Sequence, residues 1–208
     1  MTTELRIYVE GCGEGGQSKR MLRVAFGEFM SQLRADARDR RIRFRIVTCG
    51  SRNSSFDGFR EACRSHPDAF NVLLVDSEGP VSAEPVDYLR QSDGWDCDDL
   101  CDENCHLMAQ TMEAWLIADL EALNEFYGRN FNEGAIPKNQ DVEQIEKARL
   151  VPSLNRATKD TTKGRYHKIR HAAGILPLLN TNLVRSKAHH CDRLFRTLEG
   201  KIAAQPKA

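Results

Sequence analysis

Two apolar runs in this chain end abruptly in carboxylates. Leu5-Arg6-Ile7-Tyr8-Val9 runs into Glu10, and Val72-Leu73-Leu74-Val75 runs into Asp76-Ser77-Glu78. Carboxylate oxygens are the hard donors that Mg²⁺ or Mn²⁺ takes, and one or two suffice when waters and a substrate phosphate complete the shell. On an extended segment side chains two apart point the same way, so Asp76 and Glu78 are expected to share a cation while Ser77 faces elsewhere. Glu10 joins them as a third oxygen donor. A carboxylate in such a position also has a plainer use, capping the helix that follows. Glu113 opens an apolar helical stretch and is the next candidate. Facing the same acids it would complete a second cation site; otherwise it stabilises a helix N-terminus. Asp119, six residues on, is expected at the surface.

The cationic candidates fall in three places. Lys19 and Arg20 follow the glycine-rich loop 11–16, with Ser18 as the expected N-cap, where backbone N–H groups can approach a phosphate. The order of a P-loop is absent. Arg52, in Gly50-Ser51-Arg52, follows a strand and is placed to clamp a phosphate. Lys159, Lys163, Arg165 and Lys168 surround Tyr166. That mixture suits a nucleic-acid backbone with a base stacked on the tyrosine, or else a solvated basic face. His167 and His171 are four apart but lack the glutamate of a metalloprotease helix. Cys97, Cys101 and Cys105 repeat every four residues, beside His106, and match neither a zinc knuckle nor an iron–sulfur run, so free thiols are expected and zinc is not.

Positioning these groups takes an alternating chain. Strands are expected at 6–9, 41–48, 71–75 and 106–110. Helices are expected at 19–36, from about 55 to the His66-Pro67 junction, near 86–90, and at 112–127 with Gly128 closing it. An acidic loop covers 92–105. Beyond Pro137-Lys138-Asn139 come helical pieces at 142–150, 166–179 and 189–198. This order predicts an α/β fold, Rossmann-like, with a mostly parallel sheet of about four strands flanked by helices. Residues 1–128 would form the α/β domain and 129–208 a basic helical extension packed on it.

The formal net charge is zero, with 40% hydrophobic and 29% charged residues, over a length of 208 that supports a substantial core. Charge is unevenly spread: ten acids face one base between 76 and 105, whereas fourteen bases face three acids from 147 onward. An acidic cleft beside a basic region suits a phosphate-bearing substrate, although two such surfaces also attract each other. No apolar run reaches the length of a membrane span, and the N-terminus lacks a basic-then-apolar signal pattern. Seven cysteines do not suggest a secreted disulfide framework, so a cytoplasmic protein is expected.

A hydrophobic strand ending in Glu-Gly, two further βα steps, and a strand ending in an acid pair together resemble the TOPRIM domain, over about residues 5–115. Tyr8-Val9-Glu10-Gly11, Cys49-Gly50-Ser51-Arg52, Leu73-Leu74-Val75-Asp76-Ser77-Glu78, and His106 to Gln110 with Met112-Glu113-Ala114-Trp115 are similar to a group of uncharacterised bacterial TOPRIM-like proteins related to OLD-family nucleases. Lys159-Asp160-Thr161-Thr162-Lys163-Gly164-Arg165-Tyr166-His167-Lys168 extends the likeness. The resemblance implies that Glu10 is a ligand or general acid/base and that Asp76 and Glu78 are the metal-binding pair, with Glu where the family usually has Asp. It implies a Mg²⁺- or Mn²⁺-dependent nuclease with no organic cofactor. It also implies nucleic acid as partner, an SMC-like or ABC-type ATPase in phage defence, and room for a homodimer. The alternative it leaves open is a nucleic-acid-binding or adaptor module without turnover.

Overall fold

A computed structural model describes residues 2–11 and 15–206. Four parallel strands, β1 (Glu4–Glu10), β2 (Arg43–Gly50), β3 (Phe70–Asp76) and β4 (Cys105–Met108), lie in the order β2-β1-β3-β4. The chain steps to one side of β1 to make β2 and to the other side to make β3. Right-handed crossovers in opposite directions put their helices on opposite faces. Accordingly α1 (Gly16–Phe29) and α2 (Ser31–Asp39) cover one face and α3 (Arg52–Ser65) and α4 (Pro85–Asp93) the other.

The central strands are apolar throughout because both faces are covered. Leu5, Ile7, Val9, Val72 and Leu74 enter one core, while Tyr8, Leu73 and Val75 enter the other, the alternation that a pleat imposes. Each core contains one of the two tryptophans. Trp115 is fully buried beside Phe29, and Trp95 stacks on Phe56 with centroids 4.1 Å apart. The larger core continues through α5 (Met112–Ala118), α6 (Leu120–Tyr127), α7 (Lys147–Thr158), α8 (Arg170–Ile175), α9 (Thr181–Lys187) and α10 (His189–Ala203). The segment beyond 128 thus supplies part of the sheet's own cover.

Two expected helices are broken. The stretch 19–36 starts earlier, at Gly16 with Gly15 as N-cap instead of Ser18, and bends at Met30 between α1 and α2. The stretch 112–127 breaks at Asp119, which is buried, contrary to its expected place at the surface. Asp119 accepts from Ala122 N (3.1 Å) and Asn180 N (2.8 Å), so it caps α6 and ties it to the start of α9. The helix expected at 166–179 begins only at Arg170, leaving Tyr166 and His167 in the loop before it.

Arg193 of α10 donates to Cys105 O (2.9 Å), to His106 Nδ1 (3.1 Å) and to Asp102 O (2.5 Å), clamping α10 to β4. Burial, and then the Arg193 charge, push the His106 imidazole down to about 3. The ring is therefore neutral, with Nε2–H donating to Glu103 O. No helix among the described residues is long and apolar enough to cross a membrane.

Candidate functional site

The strand order reverses between β1 and β3, and ligands of open parallel sheets bind outside the carboxyl ends of the strands at that point. Glu10 ends β1 and Asp76 ends β3. Glu10 Oε2 accepts from Asp76 N (3.1 Å), closing the gap between the two strands beyond their last rung. Glu78 completes the group: one carboxylate oxygen from each of Glu10, Asp76 and Glu78 lies within 4.8 Å of the others. Among the described residues this is the one acidic, histidine or cysteine cluster with that closeness.

Glu78 arrives there by a route other than the strand alternation expected for it. The strand stops at Asp76, and Glu78 has φ of +66°, a left-handed conformation uncommon for a residue with a Cβ. Ser77 N donates to Met108 O (3.0 Å) and Glu78 N to Gln110 O (2.8 Å), so main-chain pairing with the segment after β4 sets the turn that swings Glu78 back.

Asp76 is buried and divides its oxygens. Oδ1 accepts from Met112 N (2.8 Å) at the start of α5, the capping use that any strand-end acid can have. Oδ2 lies 3.9 Å from Lys168 Nζ. Burial, then the negative charges of Glu10 and Glu113, push Asp76 up to about 7. Burial also raises Glu10, against the opposing charge of Arg52. Carboxylates gathered out of water gain from an added cation.

Cations from elsewhere in the chain already reach this site. Lys147, at the start of α7, forms an ion pair with Glu78, and its backbone N–H donates to Gln110 Oε1 (2.9 Å). Arg52 donates to the Asp76 carbonyl and lies 3.5 Å from Glu10 Oε2. Its remaining nitrogens are held by Asp93 at 2.6 and 2.8 Å, so Arg52 is fixed in place as much as it is available to a phosphate. Trp95 covers it, 5.2 Å from the guanidinium carbon.

Glu113 is not brought into the three-acid cluster. It is the acidic member of a wholly buried helix turn and accepts from Thr111 Oγ1 (2.8 Å) and Tyr166 OH (3.1 Å). The same bond corrects the reading of Tyr166 as a stacking platform: its ring is buried and its hydroxyl anchors the basic loop to α5. Lys168 follows in that loop and faces the acids. Lys159, Lys163 and Arg165 are exposed; Lys159 pairs with Asp160 (3.7 Å) and Lys163 lies over the Phe126 ring.

His167 lies before α8 and accepts from Ile169 N and Arg170 N, while His171 Nδ1 accepts from His167 N (3.2 Å) and engages the Tyr127 hydroxyl (2.9 Å). Cys97 and Cys105 sit in the smaller core and Cys101 is exposed. Lys19 and Arg20 line an open groove on α1. Cys12, Gly13 and Glu14 of the glycine-rich loop lie outside the described residues.

Lys147, Asp93 and Gln110 were not anticipated from sequence. Each is ordinary in its own neighbourhood, and each reaches the cleft from an element far along the chain. The opposed charges of 76–105 and 147 onward were the one signal that pointed toward such pairing.

The fold and site together define a parallel α/β protein with an acidic cluster at its topological switch point. A family model described as a domain of unknown function (DUF4276) matches residues 9–199, and the chain belongs to that family. The matched stretch includes the three acids and the cations that meet them. No curated protein and no solved structure matches the chain.

Proposed function

We propose that the protein is a divalent-metal-dependent phosphodiester hydrolase acting on nucleic acid, with Glu10, Asp76 and Glu78 as the ligands of Mg²⁺ or Mn²⁺. The observation that carries this reading is the convergence of three carboxylates at the switch point of a parallel sheet. The resemblance of the same residues to a TOPRIM acidic cluster supports it. A bound cation would activate water and offset charge on the scissile phosphate. Glu10 serves either as a ligand of that cation or as the base that takes a proton from the attacking water. Lys147 and Lys168 stand where a phosphate oxygen would meet an ammonium group once a cation takes over their carboxylates.

A second reading, a nucleic-acid-binding module without turnover, draws on the same two lysines. They already serve as counter-ions to Glu78 and Asp76, as they would in a cleft that never holds a metal. Incubating the purified protein with single- and double-stranded DNA and RNA, with Mg²⁺, Mn²⁺ or chelator, separates the two. The hydrolase reading requires metal-dependent cutting that Glu10→Gln and Asp76→Asn abolish. Cutting that survives both substitutions, or none with either metal, sinks it.

A further inference from the structure

A groove of about 660 Å³ runs between α1 and β2. β2 is an edge strand, paired only with β1, and five consecutive β2 residues from Phe44 to Thr48 line the groove. Consecutive residues point to alternate faces, so what they share toward the groove is the open backbone edge.

The rim is cationic. Lys19, Arg20 and Arg23 project from α1 and Arg45 from β2, against Glu28, the single acid among the described lining residues. Arg45 is held by Glu4 at 2.5 Å, and Arg34 by Glu28 at 3.7 Å. Lys19, Arg20 and Arg23 form no ion pair among the described residues. Lys19 and Arg23 are moreover like charges at i and i+4, which oppose each other on a helix unless an anion lies between them. Apolar surface accompanies the charge: Val24 is 55% exposed and Phe44 is half-buried in the groove.

The groove also leads to the acids. Thr48 donates to Lys19 O (2.9 Å) at one end, Thr48 is the register partner of Val9, and Gly50 is the partner of Glu10. From Phe44 to Thr48 the edge is about 13 Å long at about 3.3 Å per residue.

We propose that this groove is the track on which a single nucleic-acid strand lies as it approaches the Glu10 cleft, with phosphates on the α1 cations and bases against Val24, Phe44 and the β2 edge. Cations along a backbone path beside apolar surface are how single strands are held without sequence preference. A second copy paired edge to edge would bring Arg43 and Arg45 of both chains together, which the charges oppose. The proposal rests on the reading of the acidic cleft as a nucleic-acid site, and binding can be measured apart from cutting.

The test uses the full chain in chelator with fluorescein-labelled oligothymidylate and oligouridylate, read by anisotropy across a salt series. Arg20→Glu with Arg23→Glu, both on an exposed helix face, is expected to weaken binding at least about tenfold and to lower the slope of log K against log salt by about 1.4, two contacts at about 0.7 each. Lys159→Glu with Arg165→Glu is expected to change binding less. Binding is read in chelator, where no metal-dependent cutting takes place, so a chain that binds through α1 but never cuts leaves the track standing while the hydrolase reading fails. Wild-type protein that fails to bind either oligonucleotide at low salt overturns the track, as does equal binding by the α1 variant. So does a polyglutamate peptide that binds in an Arg20- and Arg23-dependent manner while the oligonucleotides do not, since that marks the edge as a docking strand for an acidic protein.

Discussion

Asp76 is drawn toward opposite states. Burial, with the charges of Glu10 and Glu113, favours the protonated form and places the group at about 7, against the Lys168 charge and the capping bond from Met112 N, which favour the carboxylate. For an acid raised in this way, the folded chain keeps a proton that the unfolded chain releases above about 4. Stability is therefore full below that pH, falls as pH rises toward 7, and stays reduced above it. In chelator, Asp76→Asn should match wild type near pH 4 and exceed it at pH 8 by as much as about 4 kcal/mol, one pKa unit being worth about 1.4. Urea denaturation at the two pH values measures this; an Asn variant that is less stable at pH 8 contradicts it. Glu10 and Asp76 were legible as a pair because two buried strands end in acids; either acid alone is as well explained by capping, as the Met112 bond of Asp76 shows. Glu78 was found by an argument that does not apply, since its backbone turns out of the strand. Lys147 and Asp93 had no local signal, because a pairing partner is defined by the fold and by no pattern around the residue itself. Tyr166 showed the limit of composition: a tyrosine among cations fits a stacking platform and a buried anchor equally well.

At the level of elements, periodicity located the four strands and most helices, but it did not find α9, placed at 142–150 a helix that runs over Lys147–Thr158, and missed interruptions. An apolar repeat continues across a break when both halves pack on the same core, as α1 and α2 do around Met30 and as α5 and α6 do around Asp119. The second break depends on one carboxylate that serves two backbones at once. Asp119→Ala leaves the buried N–H of Ala122 and the part-buried N–H of Asn180 without their acceptor, and should cost about 1–3 kcal/mol, a lost cap plus a weakened tie to α9. Asp119→Asn, which keeps one acceptor oxygen, should recover part of that loss in the same denaturation experiment. Residues 166–169 were read as the start of the helix expected at 166–179, but they lie in the loop before α8. Its actual course is set by the Tyr166 hydroxyl on Glu113 and by His167 holding the first N–H groups of α8.

Across the whole molecule, the acidic and basic regions meet. Lys147 on Glu78, Lys168 near Asp76 and Lys201 on Glu103 (2.7 Å) join the two, so part of the charge asymmetry is settled internally. The α7–α10 region also delivers Leu150, Leu154, Leu194, Phe195 and Leu198 to the core that contains Trp115. Full-length protein is therefore expected to unfold in one transition, with tryptophan fluorescence and far-ultraviolet circular dichroism coinciding. A chain ending at residue 146 should show no cooperative melt; a sharp melt from that fragment would identify residues 1–146 as a separate folding unit.

The two tryptophans divide the molecule optically. Trp115 lies sealed in the larger core, whereas Trp95 shares a face with the Arg52 guanidinium that bridges Asp93 and the Glu10–Asp76 pair. Were the proposed cation to bind, Trp95, stacked over Arg52, is the tryptophan placed to report it, whereas Trp115 lies in the other core. Titration with Mg²⁺ should change the emission of the wild type and leave that of Trp95→Phe flat. A response that persists in Trp95→Phe would mean that the light comes from Trp115 and that the whole core has moved.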